Sequence, residues 1–485
     1  MNEQGTTRPQ TVIIGASHAG VAAAEQLRGA GYAGRIVILD RLPGRPLERP
    51  PLSKTFLQNT NQDESKFWLR RDEWFAAQDV TLIDGHAVTH IDAAGQTVRL
   101  DDRRQWGYDN LILATGAVPR QLEATHGLDR VFVLRDPTHA RQLRAAMATS
   151  GTAIVIGGGY IGLEAAASMA KAGITVHVIE MAPRLLARVA SPQMSDFFAT
   201  LQQSYGVHIH TGQQQVEITS KAGDFTGVDF GNGKVIAGDL LLVGIGVVPD
   251  TGLAVEAGVD VDNGIVVDVR MRTSVPHIYA IGDAARRNDR EVRIESVDNA
   301  QSGAAIVAAT ICGIDPPPVT APWFWSEQFE VRLQSAGLVP PPSASSRYIV
   351  RPGKRDKGFS VWSFDDKRLI AVEATPNTPS AKHRHFFVFT GIKVLIYPIR
   401  ELSETVGTWI YRSFKGANFN LVLITRIDYQ DFRIVNQSVP LLRRRIAPNT
   451  LVGINIYLSH GNDFALQLYL HSQKRTLLVI GELAV

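Results

Sequence analysis

Two stretches of this sequence carry the same order of parts, and that repeat leaves few folds open. Thr11–Ile14 is a short β-branched run, Gly15-Ala-Ser17-His-Ala-Gly20 a glycine-rich turn, and Val21–Leu27 a helical stretch. Arg35–Leu39 then reads as a second strand, ending at Asp40. Ala153–Ile156, Gly157-Gly-Gly159-Tyr-Ile-Gly162, Leu163–Lys171 and Thr175–Ile179 repeat the order, ending at Glu180. Strand, glycine turn, helix, strand, acid is the sequence form of a dinucleotide-binding βαβ unit. The first copy is degenerate, with Ser17 where a second glycine is expected; the second is a full G-x-G-x-x-G. Glu180 follows Gly162 by 18 residues, close to the spacing expected of a ribose contact. In such a unit the glycines allow the tight turn and the approach of backbone to pyrophosphate. The phosphates then meet the free N–H groups and dipole of the helix N-terminus. Two units about 140 residues apart predict two dinucleotide sites in one chain.

Three more strands stop at glycine, as at the carboxyl edge of a parallel sheet. They are Leu111–Leu113 before Ala114-Thr115-Gly116, Leu240–Val243 before Gly244-Ile-Gly246, and Ile278–Ile281 before Gly282-Asp283. Each alone is compatible with an ordinary strand–turn junction. From Pro316 the texture changes: proline triplets punctuate the chain, and Tyr348–Val350 and Phe359–Phe364 read as antiparallel strands.

The chain has 485 residues and one cysteine, Cys312. One cysteine excludes an intrachain disulfide, a C-x-x-C redox pair, a four-cysteine iron–sulfur site and a cysteine zinc cluster. Any electrons must therefore be carried by a bound organic cofactor or by another protein. A net charge of +3 argues against nucleic acid as the main partner. No run of about 18 apolar residues occurs and Met1–Gln10 is polar, so no membrane contact and a cytoplasmic location are expected.

Taken in order, the motifs resemble the NADH-dependent, FAD-containing ferredoxin reductases of the putidaredoxin and rhodocoxin reductase type, over roughly residues 11–375. The resemblance rests on Gly15–Gly20, Arg49-Pro-Pro-Leu-Ser-Lys54, Ala114–Gly116, Gly157–Glu164 and Gly244-Ile-Gly-Val-Val-Pro249. It continues through Asp262-Asn-Gly-Ile265, Tyr279–Asp283, Ile294-Glu-Ser-Val297 and Pro322-Trp-Phe-Trp-Ser326. It implies an α/β fold with two Rossmann-like dinucleotide-binding domains of the glutathione-reductase-like type, plus a small C-terminal α+β interface domain. The expected boundaries are 11–119 with 240–321 for a split FAD domain, 120–239 for the NAD domain and 322–376 for the interface domain. Residues 377–485 depart from the pattern. Between 382 and 485 they carry 13 Lys+Arg against 6 Asp+Glu and 13 of the 37 aromatic residues. Short β-like runs occur at Asn420–Ile424, Leu451–Leu458 and Thr476–Ile480. The extension reads as an extra domain or as translation of a shifted reading frame, and both stay open.

The resemblance also implies roles. Gly15, Ser17, Ala19 and Gly20 would hold the FAD pyrophosphate, and Asp283 the ribityl or phosphate portion. Val88, Arg135 and Val297 match positions that contact the flavin nucleotide. Asp40 takes the part of an acid that the family places one residue later, where Arg41 stands here. Ala114, Thr115, Gly116, Gly157, Gly159, Gly162, Gly246, Gly282 and Trp325 are expected cofactor contacts. Lys54 would lie beside the isoalloxazine, paired with Glu164. A cation there is physically sensible, because reduced flavin carries negative charge. Glu180 would favour NADH over NADPH, since a carboxylate accepts from ribose hydroxyls and repels a 2′-phosphate. Arg184, four residues on, would leave some tolerance of NADPH. The implied partner is a [2Fe–2S] ferredoxin serving a P450 or ring-hydroxylating oxygenase, the enzyme being a monomer or weak homodimer. Because such ferredoxins are usually acidic, the run Arg286, Arg287, Arg290 and Arg293 is the expected docking site. A disulfide reductase or a cysteine-dependent NADH oxidase is excluded by the cysteine count. An NADH-binding flavoprotein with a signalling role, like apoptosis-inducing factor, is the alternative.

Overall fold

The computed structural model describes residues 8–59, 63–231, 233–339, 343, 345–353, 358–366 and 368–375. Beyond these it describes the strands at 386–389, 392–395, 422–425, 451–458, 464–472 and 475–483. The chain divides into a unit ending at Pro379 and a second from Ser380.

Both expected βαβ units are present, each in its own parallel sheet. The first sheet runs Ile278–Ala280, Asn110–Leu113, Gln10–Ile14, Arg35–Leu39, Val80–Ile83, all parallel. Its strands are near-continuous apolar runs because both faces are covered. Helix α1 (His18–Gly29) packs against a helix from the far end of the unit, Val297–Ile311. The second sheet runs His208–His210, Thr175–Ile179, Thr152–Ile156, Leu240–Val243, Val131–Phe132. Helix α2 (Tyr160–Lys171) follows its glycine motif, and α3 (Pro192–Ser204) packs nearby on the strand His208–His210. The helix Val297–Ile311 is α4.

This arrangement corrects one expected boundary. Leu240–Val243 pairs with Ala153–Ile156, so it belongs to the second sheet and not to the returning half of the first domain. The chain crosses back at Val247–Pro249, which pairs antiparallel with the outgoing Ala117–Pro119. A buried strand that stops at glycine has the same local sequence in either sheet. Only pairing decides which sheet it joins.

Five strands then form an antiparallel sheet, in the order Trp323–Gln328, Val331–Gly337, Arg368–Thr375, Phe359–Asp365, Ser346–Pro352. Leu333 and Val361 of this sheet share one core with Leu163 and Met169 of α2, Phe198 of α3, and Leu52 and Phe56 after the Pro-Pro run. In the second unit, the strands at 422–425, 451–458, 464–472 and 475–483 make an antiparallel sheet, and 386–389 pairs with 392–395. The expected β runs at 451–458 and 476–480 fall within strands. Of Asn420–Ile424, the first two residues lie outside the described residues. Among the described residues no helix is long and apolar enough to cross a membrane.

A buried acid joins the C-terminal sheet to the second dinucleotide domain. Glu373, fully buried, accepts the backbone N–H of Ser191 on both carboxylate oxygens, at 3.2 and 3.0 Å. Ser191 in turn caps α3 through Met194 N. Burial pushes the Glu373 carboxyl up from 4.5 to about 7, against the opposing pull of the Ser191 donors and Arg184. The folded chain therefore holds a proton that the unfolded chain has released between pH 4.5 and 7. The stability this group contributes is complete below pH 4.5 and lost as pH rises through about 7, with a slope of at most about 1.4 kcal/mol per pH unit. Glu373→Gln, neutral throughout, is expected to melt higher than the parent at pH 8 and to lose that advantage at pH 4.5. Equal melting shifts at both pH values in thermal unfolding would show that Glu373 is not titrating there.

Candidate functional site

The first glycine motif makes a cradle that only small residues permit. Gly15 has φ +108°, and a Cβ there would lie 2.3 Å from the Ala114 carbonyl oxygen. A Cβ on Gly20 would lie 1.9 Å from the Gly15 oxygen. Ser17 stands at the N-cap of α1, yet its hydroxyl does not cap the helix and instead accepts from Arg49 Nε at 3.1 Å. The first amides of α1 thus have no side-chain cap. Gly159 likewise leaves α2 without one, whereas Ser191 and Ser296 cap α3 and α4. Among the described helices of more than two turns, the two that follow the glycine motifs are the ones whose N-termini have no side-chain cap and stand open to an anion.

Arg49 sharpens this reading. It is largely buried, burial and then Arg135 lower its pKa to about 10, and its Nη1 has no hydrogen-bond partner within the protein. A buried guanidinium nitrogen without an acceptor is costly, and a phosphate oxygen would supply one. Opposite it, Arg135 Nη2 bonds Asp283 Oδ2 at 2.6 Å and its Nε bonds the Ala117 carbonyl at 3.0 Å. Gly282 packs against Ala19, whose Cβ would lie 2.8 Å from a Cβ added there. Gly116, at φ +76°, has Arg135 beside it, and Thr115 donates its hydroxyl to the Asp250 carbonyl at 2.6 Å. His18, half-buried near Arg49 and Arg135, has its pKa lowered to about 4, chiefly by burial and then by Arg49, so it adds no positive charge at neutral pH.

The remaining expected nucleotide contacts are spread around this cradle. Asp40 follows the strand Arg35–Leu39, and burial raises its pKa against the pull of the Leu42 amide and Arg49. The Asp40 carbonyl accepts from His86 N, which brings the strand starting at Val88 alongside. Val297 opens α4 directly after its cap. The donors, the uncapped helix and the glycine floor fit a dinucleotide pyrophosphate.

The second cradle repeats the geometry. A Cβ on Gly157 would meet the Gly244 oxygen at 2.3 Å, and one on Gly162 the Gly157 oxygen at 2.2 Å, while Gly159 faces open space. Glu180 is held before any ligand arrives: its Oε2 accepts from Gly158 N at 2.7 Å and its Oε1 from Ala182 N at 2.8 Å. Arg184 is committed elsewhere, donating to the Ala190 carbonyl at 2.9 Å, Ser195 Oγ at 2.5 Å and the Ala187 carbonyl at 2.9 Å. These three bonds hold the Arg184 side chain against its own loop, and its Nε and one Nη2 hydrogen take no part in them. Arg188, exposed, is the cation beside Gly246.

Glu164 stands on the first turns of α2, just after the second glycine motif, and is bonded by the segment that follows Arg49. Its Oε2 accepts from Lys54 Nζ at 2.6 Å and from Ser53 Oγ at 2.5 Å. Its Oε1 accepts from Ser326 Oγ at 2.6 Å. Lys54 also donates to the Pro50 carbonyl at 2.9 Å, and the side chains of Lys54 and Glu164 are 13% and 3% exposed. Pro50 and Pro51 set the 3₁₀ turn that ends at Ser53, and Leu52 and Phe56 anchor it in the second core. Trp325 precedes Ser326 in the same strand, so it takes the opposite face, stacked 4.9 Å from Trp323. Tyr160, deep in the same region against Phe324, has its pKa raised by burial and then by Glu373 and Glu164.

Two results could not be read from motifs. Ser53 and Ser326 bond Glu164 at distances as short as that of Lys54; Ser53 sits next to the lysine in sequence, and no local signal marks Ser326 as a donor. The arginine run also fails as a free basic patch. Arg286 pairs with Asp262 at 2.6 Å, Arg287 with Asp289 at 2.6 Å and Arg293 with Glu295 at 2.5 Å, and their side chains are 15%, 9% and 6% exposed. Arg290 is half-buried. Paired, mostly buried guanidiniums do not present a cationic surface, so this docking expectation is withdrawn.

Residues 9–304 match the pyridine nucleotide-disulphide oxidoreductase model, and residues 323–385 match the reductase C-terminal model. Rhodocoxin reductase of Rhodococcus erythropolis is 41% identical over 369 residues, 75% of this chain and 85% of that protein. Putidaredoxin reductase of Pseudomonas putida is 40% identical over 378 residues, 76% and 88% respectively. The solved covalent putidaredoxin reductase–putidaredoxin complex superposes with a TM-score of 0.71 at 39% identity, covering 76% of this chain and 89% of that one.

Glu180→Ala tests the ribose assignment. Each charged hydrogen bond lost is worth roughly 1.5–3 kcal/mol. The NADH-over-NADPH preference in kcat/KM is therefore expected to narrow by about tenfold or more. An unchanged ratio would remove Glu180 from the ribose site.

Proposed function

This chain belongs to the pyridine nucleotide-disulphide oxidoreductase family, as an FAD-dependent ferredoxin reductase, and on that premise we propose how its residues divide the work. It is an NAD(P)H oxidoreductase whose chemistry lies in FAD, which converts a hydride from the nicotinamide into electrons released one at a time. The first cradle holds FAD, with the pyrophosphate on Gly15–Gly20 and the α1 N-terminus and Arg49 as its buried donor. Asp283, clamped by Arg135, orients the ribityl or phosphate portion. The second cradle holds NADH, with Glu180 on the ribose hydroxyls. Its two backbone donors hold the carboxylate in place, so little ordering remains to be done on binding.

The observation that carries the reading is the buried Lys54–Glu164 pair, whose acid follows the second glycine motif and whose lysine lies five residues after Arg49. A lysine this enclosed needs a fixed counter-charge, and one placed beside a flavin stabilises negative charge developing on it. With a single cysteine in the sequence, no thiol pair competes for the electrons. The partner is then a [2Fe–2S] ferredoxin serving a P450 or ring-hydroxylating oxygenase. Fast turnover with that partner separates this reading from a signalling flavoprotein, which would instead hold a long-lived complex with the nicotinamide.

Lys54→Met is expected to slow flavin reduction by NADH and to lower the flavin midpoint potential, both read by stopped-flow and redox titration. If neither moves, Lys54 is not beside the isoalloxazine. Cytochrome c reduction by NADH is expected to require an added [2Fe–2S] ferredoxin, while ferricyanide is reduced without it. Intact ferricyanide activity with no transfer to any [2Fe–2S] protein would count against the ferredoxin partner.

A further inference from the structure

Glu164 has two oxygens, and they face different parts of the chain. Oε2 takes Ser53 and Lys54 from the segment after the Pro-Pro run. Oε1 takes Ser326 Oγ at 2.6 Å and, more weakly, the Glu327 amide at 3.4 Å, both from the first strand of the C-terminal sheet. Ser326 is fully buried. Behind it the polar contacts continue: Gln328 Nε2 lies 3.4 Å from Ser326 Oγ, and Gln328 Oε1 accepts from Gln202 Nε2 at 2.9 Å. Gln202, on α3, also donates to the Leu163 carbonyl at 3.0 Å, beside Glu164 in α2. Gln202 and Gln328 are both fully buried. Such a chain is expensive to desolvate, and a core this size could have been filled with apolar side chains. Its members converge on one carboxylate oxygen.

We propose that Ser326 is a positioning residue for the Lys54–Glu164 pair, through which the C-terminal sheet sets how much of the lysine's charge reaches the flavin. The physical argument is one of competition. A carboxylate whose Oε1 receives a 2.6 Å hydroxyl donor has part of its charge drawn away from Oε2. Lys54, on Oε2, is then less completely neutralised and keeps more field for negative charge on the reduced flavin. Without Ser326, Oε1 retains only the long Glu327 contact, and the anion's charge concentrates on Lys54. In a site shielded from water, such a shift is felt strongly. The Gln328–Gln202 link ties the serine's strand to α3, which keeps the strand from sliding away from α2.

The inference rests on the reading that places Lys54 beside the isoalloxazine, and one experiment separates the two. The full-length protein loaded with FAD is titrated for its flavin midpoint potential, and flavin reduction by NADH is followed by stopped-flow, in the parent, Ser326→Ala, Ser326→Thr and Lys54→Met. Ser326→Ala is expected to shift the potential in the negative direction and to slow reduction on the order of tenfold, as for one charged hydrogen bond lost. Ser326→Thr, which restores a hydroxyl, is expected to return both toward the parent. Ser326→Cys, close in shape but a weak donor, carries the same test if the alanine variant loses FAD. A Lys54→Met shift with no Ser326→Ala shift overturns the role of Ser326 and leaves the lysine assignment standing. No shift in either variant overturns both. Equal losses in the alanine and threonine variants would assign the effect to packing and also overturn the proposal.

Discussion

The site depends on one buried carboxylate. Glu164 is almost without solvent contact, and a lone charge so placed would cost several kcal/mol. It is tolerated because two segments far apart in sequence bring donors to it: Ser53 and Lys54 from the first domain and Ser326 from the C-terminal sheet, with the acid itself on α2 of a third body. None of these donors is near another in the chain except the adjacent pair. The carboxylate therefore acts as a register mark. If any of the three bodies is displaced, a charged group is left buried without its full set of partners, and the cost of that opposes the displacement.

Apolar packing and charge act together here. The turn that carries Lys54 is fixed by consecutive prolines, and its Leu52 and Phe56 are buried with residues of α2, α3 and the C-terminal sheet. The lysine is thus carried by a segment of the first domain whose hydrophobic anchors lie in the second core. Glu373 makes a second joint between the same sheet and the N-terminus of α3, of opposite character: a group that burial drives toward its neutral form. One joint is an ion pair with several donors on one acid, the other a single acid that burial pushes up to about 7, so the second joint varies with pH across the neutral range.

Much of this was legible in the sequence because glycine motifs are local. Gly15 and Gly157 each need a positive φ and a bare Cα against a neighbouring carbonyl, and that requirement marks the chain within a few residues of where it acts. The pairing of Lys54 with Glu164 came through resemblance, since nothing local joins residues 110 apart. What sequence could not supply was pairing. Leu240–Val243 looks like any buried strand before a glycine, and its hydrogen bonds place it in the second sheet. Arg286, Arg287 and Arg293 look like a basic run, yet each has found a carboxylate. Ser326 is one more serine in an aromatic strand until Glu164 is found opposite it. A residue's type shows what it is able to do; its partners decide what it does.

The antiparallel contact between Ala117–Pro119 and Val247–Pro249 has a consequence for how such a chain is put together. The points where the peptide leaves the first domain and re-enters it are directly paired, so their α-carbons lie only about 5 Å apart. A gap of that size is what a short hairpin spans. The first sheet is therefore indifferent to what is carried between those points: a two-residue turn or a whole folded body would leave its strand order and register alike. The second dinucleotide domain occupies the position of a loop, a cargo that closes on itself and makes no demand on the strands of its host. Parts with this geometry can be exchanged as modules, and Glu164, facing donors outside its own module, is the side chain that makes this particular exchange non-neutral.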